Sequence, residues 1–269
     1  MAWKLGACTW IFGDTPLEEV AHGLSRLGYD GVELLGDPSR YPPQKVKRLL
    51  ADHGLSVFSL TPLDVDLAHP DPEVRRRALD YYLGLLDYAA ELGAGVVSCH
   101  GRVGRVRPIA SQAEEEKLFL EGVAHLAARA EGLGLRVALE VLNRYESHLL
   151  NTAAQALAVV EEVGSPALGV LLDTYHMNIE EADLPGTIRL VGGWLQLFHV
   201  ADSNRRGVGR GHIPFPELLS ALEGIGYRGP LIVECTAPGP DPFTPVKGPG
   251  WEEAVWGEVR AALDYLRKF

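Results

Sequence analysis

The stretch RVALEVLNRYE, residues Arg136 to Glu146, passes abruptly from apolar alternation into charge. A segment with the pattern of a buried strand stops on a carboxylate, Glu140, and Asn143, Arg144, Tyr145 and Glu146 follow at once. An unpaired carboxylate buried beside a core costs several kcal/mol, on the order of a domain's whole stability margin. Something must hold the charge of Glu140. Reading outward, the same design recurs: LGVLLD ends on Asp173, LQLFHV carries His199 and GPLIVEC carries Glu234. On the N-terminal side lie KLGACTW near Cys8, GVELLG near Glu33, LSVFSL near Leu60 and GVVSCHG near His100, which with VALEVL make eight short apolar runs.

Longer amphipathic stretches separate these runs: LEEVAHGLSRLG, KVKRLLADHG, PEVRRRALDYYLGLLDYAAELG, EEEKLFLEGVAHLAARAEGLG, AAQALAVVEEVG, PGTIRLVG and FPELLSALEGIG. WEEAVWGEVRAALDYLRK closes the chain. Short and long elements in strict alternation are the pattern of βα units around a parallel sheet. Most of the long stretches end in Gly, as helix caps do. No linker or composition shift interrupts the series, so the expectation is an α/β chain forming a single (β/α)8 TIM barrel, one domain over residues 1–269. An open doubly wound sheet would call for a GxGxxG turn after the first strand. ACTWIFGDTP has none, and GRVGRV follows the fourth run instead.

The chain of 269 residues suits one barrel of about 250. Its net charge of −11 disfavours a duplex nucleic-acid surface, which needs clustered Lys and Arg. MAWKLGACTW lacks the pattern of a signal peptide, and no apolar run approaches the roughly 20 residues of a membrane span, so a cytoplasmic protein without a membrane partner is expected. Cys8, Cys99 and Cys235 form no CxxC pair and are expected to be small buried residues near strand ends.

Barrels of this kind build their sites at the C-terminal ends of the strands. Four consecutive runs end near a potential metal ligand, Glu140, Asp173, His199 and Glu234, and would converge at one mouth. Asp173 alone could be a helix cap, but four in succession point to a site. Three carboxylates and one imidazole suit a hard divalent ion such as manganese, magnesium or cobalt, whose charge lets buried carboxylates stay ionised. Glu33 and His100 end the second and fourth runs, and His176, Arg205 and Glu146 lie where they can face the same mouth. Arg102, Arg105 and Arg107 are most simply a solvated loop.

A sugar that chelates one divalent ion through two oxygens has its carbonyl polarised and the adjacent C–H acidified. Two carboxylates flanking the enediolate would invert the carbon, whereas one base shuttling the proton would give aldose–ketose isomerisation. Glu140 and Glu234, three strands apart, can flank a substrate. The residues by themselves leave both reactions open.

ALEVLNRYESHLLNT, LLDTYHMNIEE, FHVADSNRRGVGRGHIPFPEL and YRGPLIVEC resemble, in order and character, the ketose 3-epimerases of the D-tagatose 3-epimerase type, within the xylose-isomerase-like barrel superfamily. The resemblance covers most of the chain from Glu140 onward. It implies metal ligands at Glu140, Asp173, His199 and Glu234, acid/base residues at Glu140 and Glu234, and substrate contacts at Glu146, His176 and Arg205. It also implies manganese as the usual ion and a homodimer or homotetramer. Three features depart from the family: Asp202 stands where Glu is usual, the Pro-rich CTAPGPDPFTPVKGPG lacks an EPF continuation, and the early loops CTWIFGDTP and LTPLDVDLAHP match poorly. These walls leave the sugar open among free ketohexoses, ketopentoses, phosphorylated ketoses and inositol-derived ketones. The rival readings are an isomerase or dehydratase of the hydroxypyruvate or inosose type, a non-catalytic sugar-binding barrel, and an endonuclease-IV-like repair enzyme, which the acidic balance opposes.

Overall fold

The computed structural model describes residues 3–238 and 248–269. Eight parallel strands form a closed barrel in chain order, with β1 paired to β8. They are β1 (Leu5–Cys8), β2 (Gly31–Leu35), β3 (Ser56–Thr61), β4 (Val96–Cys99), β5 (Arg136–Glu140), β6 (Leu168–Asp173), β7 (Leu195–Val200) and β8 (Leu231–Val233). Each falls on one of the expected runs, β3 reaching one residue past LSVFSL and β5 starting one before VALEVL. The surrounding helices are α1 (Leu17–Leu27), α2 (Pro43–Asp52), α3 (Pro72–Leu92), α4 (Gln112–Leu133), α5 (Ala153–Val163), α6 (Thr174–Glu180), α7 (Leu184–Val191), α8 (Phe215–Gly224) and α9 (Trp251–Leu266).

Local chemistry sets the helix ends. Thr152 and Gln155 form a reciprocal capping box at the start of α5, and Asp71 and Ser111 cap α3 and α4 through their side chains. Gly93 and Gly134 close α3 and α4 in the left-handed conformation, at φ 77° and 69°, which residues with a Cβ adopt reluctantly. The closing helix α9 packs so tightly on α1 that a Cβ on Gly23 would fall 2.3 Å from the Trp256 ring.

Period-two alternation turns one face of each strand to the helices and the other into the barrel. Register then decides which side chains share a level. Asp173 pairs directly with His199, and Val200 with Val233, so Glu234 sits one step past the last pair of β7 and β8. On the opposite wall Cys8 pairs with Glu33 and Glu33 with Ser59, a polar row across β1, β2 and β3. The three cysteines are free and buried, as expected. No helix among the described residues is long and apolar enough to cross a membrane. Of the Pro-rich segment that departs from the family, residues 239–247 lie outside the described residues.

Candidate active site

Glu140, Asp173, His199 and Glu234 come together at the C-terminal mouth, all four buried, each offering one ligand atom within 4.8 Å of the others. Asp173 does double duty. Its Oδ1 accepts the Tyr175 N–H at 2.7 Å and so caps α6, while the buried Oδ2 finds no hydrogen-bond donor. Arg205 Nη1 and His176 Nε2 both lie 3.9 Å from that oxygen, beyond hydrogen-bond reach, so its lone pairs are available to a cation. His199 Nδ1 lies 3.3 Å from Glu234 Oε2 and 3.7 Å from Glu140 Oε1.

The electrostatics agree. Burial and then the Glu234 carboxylate push Glu140 well above the ordinary carboxylate range, and the same two causes raise Asp173 to about 7. At Glu234 burial also works against the charge, but His199 and Arg205 outweigh it and hold the group well below its ordinary value. His199 is raised well above the usual imidazole value because Glu33 and Glu234 outweigh burial. Among the described residues, four carboxylates, at positions 33, 140, 173 and 234, thus face only His199 and Arg205 as cations. A divalent cation fits this excess of negative charge and this hard donor set.

Above the cluster opens a cavity of about 240 Å³, lined by both Glu140 and Glu234 and by Trp10, His100, Glu146, His176 and Arg205, with Asp14, Arg40 and Asp64 further out. Arg205 is held with care. Its backbone sits at φ 58°, one of two non-glycine residues described with positive φ, which costs about 1–3 kcal/mol. Asp202 supports the loop by accepting the N–H groups of Ser203, Gly209 and Ile213, at 2.8, 2.9 and 3.2 Å. The Arg205 guanidinium stacks 4.7 Å from the Tyr175 ring centroid and 5.9 Å from that of Trp10, and reaches Glu234 at 3.4 Å. His176 Nδ1 accepts the backbone N–H of Asn143 at 3.2 Å, so the ring proton lies on Nε2, and the 3.4 Å approach of Arg205 Nη1 to Nε2 is a contact between two donors. Burial and Arg205 push its pKa well below the usual value, keeping the ring neutral. The Asn143 amide also donates to Glu146 at 2.9 Å. His100 donates from Nδ1 to the Gly101 carbonyl at 2.7 Å.

Two expectations are corrected. Glu33 does not reach the cavity. It lies on the inward face of β2 one pleat below Leu35, which does line the wall, and is fully buried against His199, Ser59 and Cys8. Arg105 is not a solvated loop residue, for it is nearly enclosed and pairs with Glu115 of α4 and, at 2.9 Å, with Asp66, while His148 also contacts Glu115. Trp10 was not anticipated. Its Nε1–H donates to Glu234 Oε1 at 2.7 Å, and its place just after β1 is the signal that could have found it.

Residues 22–267 match the family described as xylose isomerase-like TIM barrel, and the chain belongs to that family. Within it, the chain is 38% identical over 214 residues to a ketose 3-epimerase of Arthrobacter globiformis, spanning 77% of this chain and 73% of that one. It is 32% identical over 252 residues to a D-psicose 3-epimerase of Ruminiclostridium cellulolyticum, spanning 90% and 83%. A solved structure of D-psicose 3-epimerase with D-tagatose from Clostridium cellulolyticum H10 superimposes with a TM-score of 0.86 at 27% identity, over 98% of both chains. The protein is an isomerase of the racemase and epimerase class that acts on carbohydrates.

Proposed function

We propose that this chain inverts carbon 3 of a ketose through an enediolate, using Glu140 and Glu234 as its two acid/base groups. The observation that carries this reading is that both carboxylates line one cavity from strands three apart, with the other two ligand candidates between them. Glu140, Asp173, His199 and Glu234 would hold a divalent ion, manganese first and magnesium or cobalt next. Such an ion supplies the positive charge that acidifies the C–H bond beside the carbonyl. One carboxylate removes the carbon-3 proton and the electron pair spreads onto the carbonyl oxygen. The other returns a proton to the opposite face. Glu146, His176 and Arg205 grip the carbonyl end: the His176 Nε2–H and the guanidinium donate to substrate oxygens, and Glu146 accepts from a hydroxyl. His100 contributes to the same wall.

Residues 1–269 act as one unit in this reading, since Trp10 from the start of the chain supports Glu234 near its end. The resemblance supports a homodimer or homotetramer. A relative whose structure was solved with D-tagatose makes a free ketohexose the first substrate to try. The test is to incubate the manganese-loaded protein with free and phosphorylated ketoses and look for carbon-3 epimers. Aldose products, or no epimer from any ketose in the panel, would overturn the reading.

A further inference from the structure

Glu33 is a buried carboxylate without a place in the reaction described above. It is 0% exposed and both its oxygens are committed. Ser59 Oγ donates to Oε2 at 2.6 Å, and the Cys8 thiol to Oε1 at 3.4 Å. Between these donors, His199 Nε2 lies 3.1 Å from Oε1 and 3.2 Å from Oε2, so the carboxylate meets that nitrogen edge-on with both oxygens. The register across β1, β2 and β3 puts Cys8, Glu33 and Ser59 side by side, so this row is built into the barrel wall and does not depend on a loop.

We infer that Glu33 is the positioning residue that fixes the orientation and tautomer of His199, making Nδ1 the atom that binds a divalent cation. The inference rests on the metal-site reading. An ionised carboxylate only accepts hydrogen bonds, so it holds the ring proton on Nε2. A cation at the cluster takes the place of the second ring proton, and the imidazole then keeps one N–H, on the nitrogen held by Glu33, with its lone pair on Nδ1. That atom is the one facing the cluster, 3.3 Å from Glu234 and 3.7 Å from Glu140. Outer partners of this kind change metal affinity by about 10- to 100-fold when removed. Cys8 and Ser59 in turn hold Glu33, which extends the support to three strands.

The test measures Mn2+ binding by electron paramagnetic resonance of the free ion, for the wild-type chain, Glu33→Ala and Glu33→Gln, alongside 15N spectra of histidine-labelled, Zn2+-loaded wild type. Glu33→Ala should bind Mn2+ about 10- to 100-fold more weakly. Glu33→Gln, which keeps an acceptor for Nε2–H, should stay within about 10-fold of wild type. The spectra should show His199 with its proton on Nε2 and an Nδ1 shift that moves on ion binding. If Glu33→Ala fails to fold, Glu33→Gln and the spectra still decide. Equal Mn2+ affinity in Glu33→Ala, a more than 100-fold loss in Glu33→Gln, or a His199 proton on Nδ1 would overturn the inference alone. A wild-type chain that binds no ion would overturn the metal-site reading and the inference with it.

Discussion

The two halves of the barrel end at the same mouth but divide the work. Strands β5 to β8 each end on, or next to, a ligand candidate, and their loops carry Glu146, His176 and Arg205. Strands β1 to β4 bring no member of that four-residue cluster. They supply wall and support instead: Trp10 donating to Glu234, Glu33 bracing His199, and His100 beside the cavity. Chemistry placed on four adjacent strands keeps its charges within reach of one ion, and leaves the opposite half free to hold them in place or to shape the sugar's far end.

The largest effect that breaks this division should come from Glu234→Gln. Turnover should fall about 10²- to 10⁴-fold while the circular dichroism spectrum stays native; unchanged turnover would sink the two-carboxylate mechanism. Next comes Arg105→Ala, on the supporting side. It leaves Glu115 and Asp66 buried without their cation, and chemical denaturation should show a loss of about 3 kcal/mol or more. A loss below about 0.5 kcal/mol would mark that loop as solvated surface.

Ion removal sharpens the contrast further. Asp173 is raised from its ordinary value of 3.8 to about 7, so the folded chain holds that proton more tightly than the unfolded chain does. Its contribution therefore favours folding at low pH and is lost as pH rises between about 4 and about 7, and Glu140 is shifted in the same direction. Glu234 is shifted downward, so its contribution is already complete above its ordinary value of 4.5, whereas buried His176, held well below its ordinary 6.5, opposes the trend as one group against two. Chelated protein should lose thermal stability from pH 5 to pH 7. Mn2+ at 100 times its Kd at pH 7 should restore about 2.7 kcal/mol there, and the same concentration should restore less at pH 5, where the ligands must shed protons to bind it. A chelated protein that gains stability over that range would contradict the assignment. The smallest effect is Trp10→Phe, which removes one hydrogen bond to a charged group and should lower kcat/KM roughly 10-fold with little change in folding.

Much of the site was legible in the sequence because a polar residue at the end of an apolar run marks both a strand terminus and a barrel mouth. Glu140, Asp173, His199 and Glu234 needed nothing more. Glu33 shows the limit: its strand was clear, but depth within the strand was not, and one pleat separates a cavity wall from a buried brace. Arg105 failed for a different reason. Its partners Glu115 and Asp66 lie 10 and 39 residues away, and only the folded loops bring them together. Trp10 carries no charge to mark it in the sequence, and only the folded barrel brings its indole N–H to Glu234. Helix α6, seven residues long, was too short to show a helical period and is announced only by its cap, Asp173.

The most direct test of the central claim is to run the manganese-loaded protein with D-psicose in deuterated water and follow the sugar by NMR. Proton exchange through two carboxylates should place deuterium on carbon 3 of the epimer formed and leave carbon 1 unlabelled. Deuterium on carbon 1 of an aldose product, or epimer formed with no solvent label at carbon 3, would contradict it.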